Sequence, residues 1–199
     1  MTLRPELQTN DPIQLVRDWL TLATSSEPND PNAAALATAS PDGLPNVRMV
    51  LVKGIDAEGF SFYTNEESQK GQEMRANPRA ALCLHWKSLR RQIRTRGSVI
   101  NLPDAVTDHY FHSRGRRSQI GAAVSRQSRP LPSREHLERE VAAFEQQYKD
   151  GEIPRPSFWR GYLLRPESIE FWIDGPDRLH DRLSFTRTGD AWQQTLLYP

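Results

Sequence analysis

From Ala33 to Ile100 the chain never holds an apolar segment for long before a turn interrupts it. Ala33–Ser40, Val47–Lys53 and Phe60–Thr64 are separated by Pro41-Asp42-Gly43 and Asp56-Ala57-Glu58-Gly59, while Ala80–Trp86 and Gln92–Ile100 flank Lys87–Arg91. Segments this short, punctuated by turn residues, read as strands in a meander of hairpins. The pattern returns between Tyr162 and Leu197, broken at Asp174-Gly175-Pro176 and Thr188-Gly189-Asp190. Period two puts Gln92, Arg94 and Arg96 on one strand face and Ile93 on the other.

Helical signals are fewer. Asp11-Pro12 ahead of Ile13, Leu15, Val16, Trp19 and Leu20 reads as an N-cap, a first-turn proline and an amphipathic helix to about Thr24, followed by a polar linker from Ser25 to Asn32. Glu67–Asn77 is a short helical stretch stopped by Pro78, and Pro103–Phe111 and Ser133–Tyr148 read as helices, the last capped by Ser133. No internal repeat or low-complexity tract divides the chain. The expectation is one domain over residues 1–199, mainly β, an antiparallel barrel-like sheet with α-helices packed around it.

Composition narrows the class. The single cysteine among 199 residues, Cys83 in Ala80-Ala81-Leu82-Cys83-Leu84, excludes an internal disulfide framework and reads as a core residue. No apolar run approaches the roughly 18 residues of a membrane span, and Met1-Thr2-Leu3-Arg4-Pro5 leads into no signal-peptide stretch, so a cytoplasmic protein without a membrane partner is expected. The net charge of +1 conceals an uneven distribution. Residues 1–86 carry 7 basic and 11 acidic side chains, residues 87–129 carry 10 and 2, and residues 130–199 carry 9 and 12. A central segment of +8 reads either as a solvated basic face or as a surface that meets anions, nucleic acid included.

There is no Gly-x-Gly-x-x-Gly, Walker loop, His-Glu-x-x-His or Cys-x-x-Cys, and the histidines are scattered, so no metal site is expected. Three clusters stand out. Arg48-Met49-Val50-Leu51-Val52-Lys53 places a cation at each end of an apolar strand. Tyr110-Phe111-His112-Ser113-Arg114-Gly115-Arg116-Arg117-Ser118-Gln119-Ile120-Gly121 combines cations, hydroxyls and flexible glycines. Glu170-Phe171-Trp172 leads to Arg178-Leu179-His180-Asp181-Arg182, where alternation puts Arg178, His180 and Arg182 on one face.

These clusters, with Phe62-Tyr63-Thr64-Asn65 and Ser125-Arg126-Gln127-Ser128, closely resemble the pyridoxine (pyridoxamine) 5′-phosphate oxidase family, in one order from about Asp11 to Pro199. The resemblance implies a split β-barrel homodimer with FMN at the subunit interface, the strands of about 159–199 completing dimer and active site. It implies oxidation of pyridoxine or pyridoxamine 5′-phosphate to pyridoxal 5′-phosphate, in vitamin B6 biosynthesis and salvage. Dioxygen is reduced to hydrogen peroxide, and ammonia leaves from the amine. Two phosphate-bearing ligands suit a basic segment better than nucleic acid does.

By that resemblance, Arg48 and Lys70 hold the FMN phosphate with Gln69, Gln127 and Ser128. Met49, Val50, Leu51, Val52, Lys53, Tyr63, Thr64, Gln92, Trp172 and Arg182 surround the rest of the flavin. Lys53, Tyr110, Arg114 and Ser118 take the substrate phosphate; at i, i+4 spacing the last three would share one helix stripe. Arg178, Leu179 and His180 meet the substrate ring, with Arg178 and His180 as the catalytic pair, holding C4′ in place for hydride transfer.

Departures from the family pattern bear on these assignments. Many members carry Ser-Arg-Lys where this chain has Ser68-Gln69-Lys70, so a guanidinium is replaced by a neutral amide. A charged hydrogen bond is worth about 1.5–3 kcal/mol, which corresponds to roughly ten- to a hundredfold in FMN affinity. Relatives from phenazine biosynthesis share Ser-Gln-Lys-Gly, which keeps a flavin oxidase of that branch as an alternative, and a non-catalytic pyridoxal 5′-phosphate binder is another. Ala123 stands where many members have Trp, and the short segment before Asp11 argues against a lid over the substrate.

Overall fold

The structure, a computed structural model, describes residues 4–199, so the reading of Met1 to Leu3 lies outside it. Strands β1 (Ala33–Ala39), β2 (Pro45–Leu51), β3 (Gly54–Asp56) and β4 (Gly59–Asn65) form the expected meander. Helix α2 (Gln69–Ala76) leads to the hairpin of β5 (Arg79–Trp86) and β6 (Arg91–Asn101). Helices α3 (Asp104–Ser113), α4 (Arg116–Val124) and α5 (Arg134–Gln147) follow, then β7 (Trp159–Ile173), β8 (Asp181–Thr188) and β9 (Ala191–Leu196). Among the described residues the strands make one antiparallel sheet in the order β2-β1-β5-β6-β7-β4-β3, with β8 and β9 continuing from β7. β2 and β4 are not paired, yet they come into contact as the sheet curls into a split barrel.

Strand β7 organises this shape. Its first half pairs with β4, its second half with β8, and β6 runs beside both. The register with β6 shifts between Arg96 and Gly97, where Glu167 is the extra residue and Pro166, which has no N–H to donate, stands opposite Gly97. A Cβ at Gly97 would sit 1.9 Å from the Arg165 carbonyl oxygen, so only glycine allows the backbones this close.

Alternation fills the barrel. Leu36, Leu82, Thr95, Ile169 and Phe185 occupy one inward row, and Phe60, Phe62, Leu84, Ile93 and Phe171 extend it. Helix α1 (Pro12–Ser26) closes one end, with its Asp11 carboxylate capping the Ile13 and Gln14 N–H groups and Trp19 meeting Phe171 edge to face at 5.1 Å. A second cluster of Phe111, Ile120, Ile153 and Trp159 lies under α3 to α5. No helix among the described residues is long and apolar enough to cross a membrane.

Several expectations change. The basic stretch after Tyr110 is not one helix: Arg114 is extended (ψ 148°) and Gly115 caps a separate α4, which the sequence reading did not foresee. Residues 176–178 form a 3₁₀ turn, and β8 starts only at Asp181, so Arg178 and His180 do not share a strand face with Arg182. β2 ends at Leu51, which leaves Lys53 beyond the strand. Cys83 is half-buried rather than core, because it points to the outer face with Arg94 opposite it.

Candidate active site

The first group of predicted residues gathers where β2, β4 and α2 meet. Ser68 caps α2 by accepting from the Gly71 N–H, which sets Gln69, Lys70 and Glu73 against the barrel. Lys70 is only 7% exposed, and its Nζ donates to Gln127 Oε1 at 2.7 Å and to Ser68 Oγ at 3.2 Å. Thr64 Oγ1 donates to the same Gln127 oxygen at 3.2 Å. Ser128, next to Gln127, holds a left-handed φ of 70°. Burial, and then the charge of Arg48, brings the Lys70 ammonium down to about 8, with Glu73 acting in the other direction. Two cations that repel each other in a half-dry pocket form an environment that an anionic group relieves, so the donor set fits a phosphate.

Arg48 projects from β2 into this network. Its Nη1 donates to Leu36 O at 3.0 Å and Thr38 Oγ1 at 2.6 Å, and its Nη2 pairs with Glu73 Oε2 at 3.1 Å. Gln69, expected at the phosphate, instead gives its amide to Glu73 Oε1 at 2.9 Å. Sequence reasoning did not include Thr38, Asn46 or Glu73; the i, i+4 spacing of Gln69 and Glu73 was the available signal. Met49 and Leu51 point outward and are exposed, Val50 is half-buried and Val52 is buried, so these four do not line one surface within the chain.

A second group forms beside it. Tyr63 of β4 stacks on Tyr110 of α3 with centroids 4.0 Å apart and on Trp159 of β7 at 5.3 Å. The Arg114 guanidinium lies over Trp159, 4.9 Å from its centroid, and its Nη1 is buried with no hydrogen-bond partner. Burial lowers the Arg114 pKa, with Tyr110 opposing. A buried guanidinium N–H left without an acceptor is costly, and an anion placed there removes the cost. Ser118 is exposed on the first turn of α4, and Lys53 is exposed after β2, its backbone N–H donating to Ser61 O at 2.8 Å. Lys53 lines a cavity with Arg17, Leu20 and Thr24 of α1. Trp159, which orders this group, belongs to no motif and carried no signal in the sequence.

The third group lies on the outer face at the far end of β7. Gln92, Trp172 and Arg182 are register partners across β6, β7 and β8, and therefore neighbours on one face. Arg182 Nε donates to Glu170 Oε1 at 2.9 Å, and Arg94 pairs with the other oxygen of that carboxylate. His180 packs on Trp172 at 4.6 Å, and its Nδ1 accepts the Gly175 N–H at 3.2 Å, which puts the proton of the neutral ring on Nε2. Asp174 Oδ1 lies 3.1 Å from the same nitrogen and is the partner for a protonated ring. Arg178 and Leu179 are exposed, and Asp177 and Arg178 hold consecutive left-handed φ values of 52° and 62°. Such strain in non-glycine residues persists only where the surroundings enforce it. Here Gly175 lets the loop close: a Cβ there would meet the Leu179 carbonyl oxygen at 2.1 Å.

The third group does not join the first two within the chain. Trp172 lies twelve residues farther along β7 than Arg160, the register partner of Thr64. That is roughly 40 Å of extended strand at about 3.3 Å per residue.

A curled antiparallel sheet in which β2 and β4 meet without pairing defines a split β-barrel. The solved structure of a pyridoxamine 5′-phosphate oxidase-related, FMN-binding protein from Nostoc punctiforme has this fold, with a TM-score of 0.76 over 100% of both chains at 17% identity. Residues 20–148 match the family described as pyridoxamine 5′-phosphate oxidase, and residues 159–199 match the pyridoxine 5′-phosphate oxidase C-terminal dimerisation region. The chain belongs to the pyridoxine/pyridoxamine 5′-phosphate oxidase family, and it is an oxidoreductase. It is 57% identical over 195 residues to the pyridoxine/pyridoxamine 5′-phosphate oxidases of Brucella anthropi and Brucella canis, covering 96% of each chain. It also resembles PhzG from Burkholderia lata 383, solved in complex with tetrahydrophenazine-1-carboxylic acid, with a TM-score of 0.92 and 34% identity over 100% of this chain and 98% of that one.

Proposed function

We propose that the protein, as a homodimer, uses FMN to oxidise pyridoxine 5′-phosphate and pyridoxamine 5′-phosphate to pyridoxal 5′-phosphate. Lys70, Gln127 and Ser128, with Arg48, hold the cofactor phosphate, and Met49 to Lys53, Tyr63 and Thr64 of one chain border the flavin. Gln92, Trp172 and Arg182 of the other chain complete its surroundings. FMN, when bound, accepts two electrons as hydride from the substrate C4′ and passes them to dioxygen, giving hydrogen peroxide.

The residues of the chain supply position and proton control. Lys53, Tyr110, Arg114 and Ser118 bind the substrate phosphate. Arg178, from its strained turn, and Leu179 fix the substrate ring, while Nε2 of His180 hydrogen-bonds the ring hydroxyl. The alcohol substrate loses a hydride from C4′ and its hydroxyl proton and becomes the aldehyde. The amine substrate loses a hydride from C4′ and an N–H proton and becomes an imine, which water hydrolyses to the aldehyde and ammonia.

The unpartnered, buried Nη1 of Arg114 supports an anionic substrate, phosphate or carboxylate. The 57% identity to pyridoxine/pyridoxamine 5′-phosphate oxidases carries the choice of a phosphorylated vitamer, although the likeness to PhzG and Gln69 favour a phenazine carboxylate as the second reading. The test is direct. Purified protein should be yellow, anaerobic pyridoxine 5′-phosphate should bleach the flavin band, and air should restore it with one peroxide per turnover. Bleaching by a dihydrophenazine carboxylate and not by either vitamer phosphate transfers the assignment to the second reading.

A further inference from the structure

Glu73 is a buried carboxylate inside a pocket built for an anion. Only 4% exposed, it accepts hydrogen bonds from Thr38 Oγ1 at 2.5 Å and Arg48 Nη2 at 3.1 Å on one oxygen. Its other oxygen accepts from Gln69 Nε2 at 2.9 Å and Asn46 Nδ2 at 3.1 Å. Two consequences follow from the donor inventory. Both Nη1 hydrogens of Arg48 go to Leu36 O and Thr38 Oγ1 and one Nη2 hydrogen goes to Glu73, so Nε–H and a single Nη2 hydrogen remain for an incoming phosphate. The Gln69 amide is likewise turned away from the phosphate.

We infer that Glu73 is an internal counter-anion that sets how strongly the pocket holds the cofactor phosphate, and so how readily the cofactor exchanges. It reduces the combined charge of Arg48 and Lys70 from two to one and stabilises the empty pocket. A phosphate must therefore bind against a charge already present. The shifts of Lys70 and Glu73 agree, since each responds to Arg48 and Lys70 responds to Glu73. This inference rests on the FMN reading.

Glu73→Gln removes the charge while keeping the shape. The new amide N–H₂ faces Asn46 and Gln69, whose own amides can flip to offer oxygen, so every partner stays satisfied. Glu73→Asp keeps the charge and changes the shape. FMN and riboflavin, which lacks the phosphate, are titrated into flavin-free full-length protein and followed by flavin fluorescence. We expect Glu73→Gln to tighten FMN about tenfold, by the Coulomb term even at high dielectric, while riboflavin stays within about twofold; Glu73→Asp should leave the FMN-to-riboflavin ratio near wild type. Should Glu73→Gln not fold, Glu73→Ala makes the same charge change and leaves room for water. An unchanged ratio in the charge-removing variant, or equal weakening of both flavins, overturns the inference. A wild-type protein that does not prefer FMN over riboflavin overturns the cofactor reading itself, and this one with it.

Discussion

At the scale of single residues, the pocket between β2 and α2 stores two opposite titration effects. Burial alone pushes the Glu73 carboxyl up, but hydrogen bonds from Thr38, Gln69 and Asn46 and the charge of Arg48 outweigh it and bring the group down to about 2. A carboxylate with a depressed folded-state pKa contributes stability that is present above its unfolded value, here 4.5, and is lost as pH falls toward 2. The contribution is on the order of 3 kcal/mol at neutral pH. Urea unfolding at pH 6 and pH 3 should show it, and Glu73→Gln should lose less between the two. Lys70 works in the opposite sense. Its folded pKa of about 8 lies below the free value of 10.5, so the buried ammonium opposes folding at neutral pH and is relieved as pH rises through 8. A phosphate that stabilises the ammonium should take up a proton on binding between about pH 8 and 10. Calorimetry of FMN binding in two buffers of different ionisation enthalpy should measure that uptake, and Lys70→Met should abolish it.

Arg114 shows the same exchange between stability and function. Its guanidinium lies over Trp159 with one buried N–H unpaired, so Arg114→Met keeps the stacking and removes an unsatisfied charge. We expect this variant to melt at the wild-type temperature or above it while its KM for pyridoxine 5′-phosphate rises roughly ten- to a hundredfold, the worth of a charged hydrogen bond. FMN affinity should not change. A KM that stays at the wild-type value removes Arg114 from the substrate phosphate site.

At the scale of elements, most of the fold is legible where a local rule acts alone. The Asp11-Pro12 start of α1, the turns of the meander and the alternation of β5 and β6 follow from capping, turn chemistry and period two. The sequence reading fails where two local rules compete. Tyr110, Arg114 and Ser118 have helical spacing, yet Gly115 interrupts the helix, and a bent pair of shorter helices is what brings Tyr110 and Arg114 onto the Trp159 surface. Arg178, His180 and Arg182 alternate like a strand, yet Gly175 and Pro176 impose a 3₁₀ turn first. Glu73 was overlooked because its partners Thr38 and Asn46 come from strands distant in sequence. The bulge of β7 was also invisible, since nothing near Pro166 announces the close approach of Gly97. That approach yields a test: Gly97→Ala forces a methyl into the Arg165 carbonyl and should cost more than about 2 kcal/mol, with β6 and β7 separating first in hydrogen exchange. A variant as stable as the wild type would show that the bulge does not fix the curl of the barrel.

At the scale of the whole molecule, the basic central segment finds its counter-charges in the acidic flanks. Arg90 pairs with Asp174, Arg91 with Glu6, Arg94 with Glu170, Arg126 with Glu140 and Arg129 with Glu67, while Arg116 caps the end of α5 through the Tyr148 and Gly151 carbonyls. Much of the charge asymmetry of the sequence is spent on tying distant segments together, while Arg114 of the same segment keeps a buried Nη1 without a hydrogen-bond partner. What one chain does not provide is closure. Val47 and Met49 are 65% and 62% exposed on the outer face of β2, beside the pocket that holds Arg48, while Trp172 and Arg182 lie at the far end of β7. Burial of one such side chain is worth about 1.5–3 kcal/mol, and two copies of the chain would bury it twice. If the flavin site is made from both chains, Val47→Glu, at a residue with no assigned role at the flavin, should convert dimer to monomer and lose the yellow colour in the same step. Sedimentation and flavin absorbance on one sample follow the two quantities together. A monomer that keeps its flavin places the whole cofactor site within a single chain and removes Gln92, Trp172 and Arg182 from it.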